Sequence, residues 1–250
     1  SGQGLVMASM LGLRCAVSTM NVDGALECAG GGAREAVEAW PFYMAVVDIK
    51  ISQNIMDADL EQALNHLAER FPGDIRWVEG LMEVYYRQGR MKRVVDLFER
   101  VAKRTPRRLD AEIYILAAEA ARQAGNGRHA AQIAARAYAI YPDKVKVINN
   151  LVYYLSSRKE TLLKAKEIME TRLLANIEGS FATLDTAAAV YLRLGEFKKA
   201  NAYINKALAL VEPVDLAWPE INVNAAEIMI ALRRYDEARS TLMAVRRDSK

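Results

Sequence analysis

The chain has 250 residues, 52% hydrophobic and 26% charged, the proportions of an ordinary folded protein with a large core. A net charge of +3 is too small to argue for a nucleic-acid partner, and 6 prolines with 14 glycines are too few for a chain of many short strands and turns. The abundance of alanine, leucine, glutamate, lysine and arginine points to helix.

Residues 1–39 are predicted as an N-terminal helical segment, either a degenerate repeat or a cap on the first unit. Leu5 to Met20 is nearly uncharged, and Gly30-Gly31-Gly32 must break any helix. The most apolar run, Leu5 to Leu13, is too short to span a membrane and is followed by Arg14. No membrane span is predicted. The two cysteines, Cys15 and Cys28, leave both a disulfide and two buried thiols open, and lack the spacing of a zinc site. The opening Ser1-Gly2 is read as a scar of tag removal, so the chain is expected to be an excerpt of something longer.

From Trp40 onward the apolar residues fall into paired helical stripes. Met44, Val47 and Ile51 lead to Leu60, Leu64 and Leu67, closed by Pro72. Val78, Leu81, Met82 and Tyr85 lead through Gly89 to Val94, Phe98 and Val101, closed by Pro106. Tyr114, Ala117, Ala118 and Ala121 lead through Gly125 to Ala130, Ala134 and Ala137, closed by Pro142. A looser unit comes next: Leu151, Val152 and Leu155, a glycine-free turn from Ser156 to Thr161, then Ala165 and Met169. The clearest unit has Leu184, Ala187, Ala188 and Tyr191, then Gly195, Phe197, Ala200, Ile204 and Ala207. The last has Asn222, Ala225, Ala226 and Met229, then Tyr235, Ala238, Leu242 and Val245. The three prolines lie 34 and 36 residues apart, and Gly89 and Gly125 lie 36 apart. Asp74, Asp110 and Asp143 are placed to cap the helices after the prolines.

These spacings carry a family resemblance. Val78, Leu81, Met82 and Tyr85 stand where the tetratricopeptide repeat has W-x-x-L-G-x-x-Y, and Tyr85-Tyr86-Arg87-Gln88-Gly89 resembles the end of that run. The stretch from Leu184 to Phe197 resembles bacterial members of the family. The resemblance implies an all-α fold, a right-handed α-solenoid of about six stacked helix-turn-helix repeats over residues 40–250. It implies a non-enzymatic scaffold or adaptor that binds a protein or peptide partner in a concave groove lined by the first helix of each repeat.

Helical spacing then names the groove side as the face away from each apolar stripe. It comprises Arg76, Glu79, Glu83 and Tyr86, then Glu112, Ile115, Glu119 and Arg122. Lys146, Asn149, Asn150 and Tyr153 come next, then Asp185, Ala189 and Arg193, and last Glu220, Asn224 and Glu227. The set is mixed with a mild acidic excess, which leaves two readings: recognition of an extended or helical peptide of basic character, or a merely solvated inner face. The family's clamp for a chaperone C-terminus is not matched: Asn150 fits one position, but Ile115, Glu119, Ala182 and Thr186 stand where Lys, Asn or Arg is needed.

No catalytic, cofactor-binding or metal-binding residue is predicted. His66 and His129 lack metal-ligand spacing, Gly30 to Gly32 lacks the Lys and Ser/Thr of a phosphate loop, and no G-x-S-x-G elbow occurs. Lys92, Arg93, Arg100, Lys103, Arg104, Arg107 and Arg108 form a basic cluster without aromatic partners for stacking, so it reads as a solvated outer face. Two rival functions stand beside the scaffold. One is a self-associating assembly protein joined through an uncapped last repeat, and the other is a regulatory arm of a longer enzyme or membrane protein.

Overall fold

A computed structural model describes Gly24, Glu27, Cys28 and residues 40–248, except 106–108, 177–179, 213, 214 and 216. Apart from Gly24, Glu27 and Cys28, the expected segment 1–39 lies outside the described residues, Cys15 included, as do Arg107 and Arg108. The described residues form twelve α-helices and no strand. These are α1 (Trp40–Ser52), α2 (Ala58–Arg70), α3 (Ile75–Arg87), α4 (Met91–Ala102), α5 (Ala111–Gln123) and α6 (Gly127–Ile140). The rest are α7 (Val145–Ser156), α8 (Leu162–Ile168), α9 (Phe181–Arg193), α10 (Phe197–Leu208), α11 (Trp218–Ala231) and α12 (Tyr235–Asp248). By its contacts the chain divides into two compact units, Ser1–Gly125 and Asn126–Lys250.

One turn geometry recurs, and it explains the glycines. Gly89 and Gly195 have φ of +72° and +76°, where a side chain is strained. Each stands just past a helix. Its N–H donates to the carbonyl three residues back, and the next N–H reaches five back, as in Gly195 to Leu192 (3.0 Å) and Glu196 to Tyr191 (2.9 Å). The same bond pair closes α11 without glycine: Arg233 sits at φ 63°, bonded to Ile230, while Arg234 reaches Met229. Asn54 plays that part after α1, at φ 56°. The fourth pair has no such residue; a longer turn from Ser157 to Thr161 replaces it, as its sequence suggests.

In the first unit the core is built where the stripes meet. Leu60, Leu64 and Leu67 of α2 and Leu81 and Met82 of α3 are buried. Val94 and Phe98 of α4 are buried, and Phe98 meets Tyr114 of α5 edge to face at 5.0 Å. Gly80 is a point of close approach: a Cβ there would lie 2.9 Å from a Leu64 methyl. In the second unit Ala187, Ala188, Ala200 and Ala207 are buried and let α9 and α10 approach closely, with Ile204, Ile221 and Ala225 continuing the core.

Several details depart from the sequence reading. In α1 the buried stripe is Phe42, Val46, Val47 and Lys50, while Met44 is half-buried and Ile51 exposed. Lys50 turns inward because its ammonium lies 2.5 Å from Asp57, the N-cap of α2, and 3.1 Å from Asp59. In α3 Trp77, not Val78, is buried. Phe197, at the first position of α10, remains 37% exposed. Asp74 caps α3 through its side chain, but Asp110 makes no side-chain cap bond. Asp143 caps nothing, because α7 begins one residue later than expected and Lys144 is its N-cap; Asp143 pairs with Arg172 instead, at 3.0 Å. The fourth pair's second helix widens after α8 into a π turn, Met169–Leu173, which keeps both Met169 and Leu173 in the core.

Candidate functional site

The residues assigned to the groove side fall into two groups, one in each compact unit. In the first unit they lie on α3 and α5, which pack together. Most of their charges are already satisfied. Arg76 forks onto Asp74 (2.6 and 2.9 Å) and covers the Trp77 ring. Glu83 accepts from Arg87 at 2.7 Å, and Arg87 also reaches Asn54. Glu119 accepts from Arg122 and from Gln123, and Gln123 in turn donates to the Tyr86 hydroxyl at 2.9 Å, tying α5 to α3. The predicted acidic excess is therefore reduced here, because two of its four carboxylates hold arginines of their own helices. Glu79 is half-buried; burial, with the Asp110 charge nearby, pushes its carboxyl above the usual range. Glu112 is exposed.

In the second unit the groove-side residues come from α7, α9 and α11, each packed on the next. Helical phase sets them opposite the core: Ile148, Val152, Ala187, Ala188, Ala225 and Ala226 are buried, while Asn149, Asn150, Tyr153, Asp185, Ala189 and Asn224 are only part-buried. Asp185 of α9 is half-buried beside α11, and the Asn224 amide donates to both its oxygens at 2.9 and 3.0 Å. Burial pushes its carboxyl up to about 6, with the Glu220 charge adding to the effect and Arg193 opposing it. Arg193 donates to the hydroxyl of Ser156 at the end of α7, and that hydroxyl donates to the Tyr153 carbonyl at 2.8 Å. Asn150 donates to the Lys146 carbonyl, 2.9 Å away. The side-chain oxygen of Asn149 is buried without a hydrogen-bond partner, a cost unless a donor arrives. Lys146, Glu220 and Glu227 stand exposed around this strip.

Sequence spacing misses Ser156, which reads as part of the turn; it is the last residue of α7, three after Tyr153, so it shares that face. Spacing also misses Gln123 and Asn54, which link neighbouring helices across distances in sequence that periodicity does not reveal.

His66 stacks on Tyr43 at 4.4 Å. His129 lies in the first turn of α6, its backbone N–H held by Asn126. In the basic cluster Arg93 reaches Glu61 at 3.2 Å, and Lys92, Arg100, Lys103 and Arg104 are exposed. Among the described residues no group of three or more His, Cys, Asp and Glu side chains is gathered to hold a metal, and no helix is long and apolar enough to cross a membrane.

A family model described as tetratricopeptide repeat matches residues 59–244. A comparison with curated protein sequences finds no match. Among solved structures, a tetratricopeptide repeat protein from Parabacteroides merdae superposes with a TM-score of 0.71 at 13% identity, over 99% of this chain and 94% of that one. The APC/C hetero-tetramer Cut9-Hcn1 gives 0.65 at 15% identity, over 91% of this chain and 43% of that one. The quorum sensor NprR from B. thuringiensis, in its apo form, gives 0.62 at 14% identity, over 98% and 75%. At such identities the likeness is one of fold.

Proposed function

The chain belongs to the tetratricopeptide-repeat family, and from that premise we propose that it is a scaffold that holds a segment of a partner protein on the face formed by α7, α9 and α11. Proteins of this all-α solenoid fold generally act as non-enzymatic protein–protein interaction scaffolds. The observation that carries the finer reading is the polar strip across three successive first helices. A buried, unpaired Asn149 oxygen, the Asp185–Asn224 pair and the Arg193–Ser156 pair lie on one side of an otherwise alanine-rich seam. A basic side chain would stabilise Asp185 and Glu220 in their charged forms. The first unit's groove-side residues (Arg76, Glu79, Glu83, Tyr86, Glu112, Glu119 and Arg122) contribute less, because several hold one another. The basic side chain suited to the acid pair also makes a nucleic acid, which would bring phosphates, an unsuitable occupant of this face.

Affinity capture with mass spectrometry tests the reading. Baits would be the chain itself, a form with Asn149→Ala, Tyr153→Ala and Glu220→Ala, and a control with Lys198→Ala and Lys206→Ala on α10. Binding on this face gives a prey that the first and third baits retain and the second loses. A prey held equally by all three would move binding off this face.

A further inference from the structure

Three turns between paired helices carry the same polar arrangement with different charges. Each follows a residue of positive φ that ends a first helix: Gly89, Gly195 or Arg233. The next residue, Arg90, Glu196 or Arg234, bonds to the second helix of the preceding pair. Arg90 donates to Glu61 of α2 at 2.6 Å, and Arg93, one turn on, donates to the other oxygen at 3.2 Å. Lys166 of α8 donates to Glu196 at 2.7 Å, and Lys199 holds the other oxygen at 2.6 Å. Arg234 donates to the Asn201 oxygen of α10 at 2.9 Å and to Glu237 at 2.6 Å. Each triad joins one second-helix residue, the residue after the turn, and the residue three places later. Glu61, Lys166 and Asn201 occupy one register: each directly follows the first buried residue of its helix, Leu60, Ala165 or Ala200. Lys166 and Asn201 lie 35 residues apart, and Glu61 lies three times that distance before Lys166. The equivalent residue of α6, Ala131, is apolar and can take no such bond. Glu61, Lys166, Glu196, Asn201 and Arg234 are all half-buried, where a mismatched charge costs more than in open water. The bonds from Lys166 and Lys199 hold the Glu196 carboxyl below the usual carboxylate range.

We propose that these triads specify which helix pair stacks on which, by making a wrong neighbour a charge mismatch. The apolar seams discriminate weakly. In the second unit α8 offers Ala165 and Met169 where α10 offers Ala200 and Ile204, side chains of similar size. Seams so alike let a turn dock on the wrong second helix while the chain folds, within one molecule or between two. The triads differ where the seams do not. Arg234, after α11, needs an acceptor; on α10 it finds Asn201, whereas on α8 it would meet Lys166, a like charge. Glu196, after α9, needs a cation; on α8 it finds Lys166, whereas on α10 it would meet only the Asn201 amide. The order of the pairs is thereby written in half-buried polar residues beside a seam that alone would leave it open.

Refolding by dilution from urea, followed by size-exclusion chromatography with light scattering, tests this on the full chain. The species recovered by the native chain sets the reference, and Lys166→Arg should match it. Lys166→Asn gives α8 the residue that α10 carries, so the Arg234 turn can dock on either helix. Its recovery of the reference species should fall about twofold or more, with swapped and larger species in its place. Lys166→Ala loses the same bond to Glu196 but offers Arg234 no acceptor. It should keep the reference recovery despite a lower urea midpoint. Adding Arg234→Ala to Lys166→Asn should raise the recovery again, although it removes one more bond. Full recovery of Lys166→Asn overturns the proposal. So does a deficit that Lys166→Ala shares in full, or one that Arg234→Ala fails to relieve, because the bonds would then act on local stability alone.

Discussion

Asp185 bears on both the second unit's stability and the face proposed to bind a partner. A carboxyl raised to about 6 in the folded chain binds protons that the unfolded chain, near 3.8, has already released. Its contribution to stability is therefore full below pH 4 and is lost as pH rises through 6, on the order of 3 kcal/mol in all. Carboxylates held low by an arginine, as Asp74 is by Arg76, act with the opposite sign, so the total curve hides the effect. The difference between the native chain and Asp185→Asn isolates it. In urea titrations the variant should gain relative stability from pH 4 to pH 7; a difference that stays flat would mean that Asp185 is not held in this way. A second residue-scale prediction concerns Arg233, which adopts a backbone shape that glycine holds at the equivalent turns. Arg233→Gly should raise stability by roughly 0.5–1 kcal/mol, seen as a higher thermal midpoint. The groove-side residues are legible one helix at a time, because helical phase separates Asp185 and Asn224 from the core alanines. Their bond to each other is not legible, since phase fixes a face and not the register between two helices 39 residues apart.

At the scale of elements, the sequence marks the helices most plainly where small residues meet. Tyr114, Ala117, Ala118 and Ala121, and likewise Leu184, Ala187, Ala188 and Tyr191, are all buried as their spacing requires. The expected stripe slips by one position where a charged or aromatic residue takes the inner place, as with Lys50 for Ile51 and Trp77 for Val78. In the first case the cause is the pair of aspartates at the start of α2, a tertiary partner that no periodicity displays. Close approach of α2 and α3 at Gly80 makes a further prediction. Gly80→Val forces the Leu64 side chain aside and should cost about 1–3 kcal/mol in chemical denaturation, while Gly73→Ala, with open space around it, should stay within about 0.5 kcal/mol.

At the scale of the whole molecule, polar strips run along the first helices among the described residues. The strips are what a family of stacked helix pairs keeps free when second helices serve as packing, and the most complete strip belongs to α7, α9 and α11. Whether that strip holds a partner is read most directly by site-specific photo-crosslinking in lysate. A benzophenone side chain would be placed at Ala189, on the α9 strip, and separately at Lys198, exposed on α10. Binding on the strip gives a discrete crosslinked partner from position 189 and none from position 198. The same product from both positions, or from 198 alone, would place the partner elsewhere on the chain and refute the assignment.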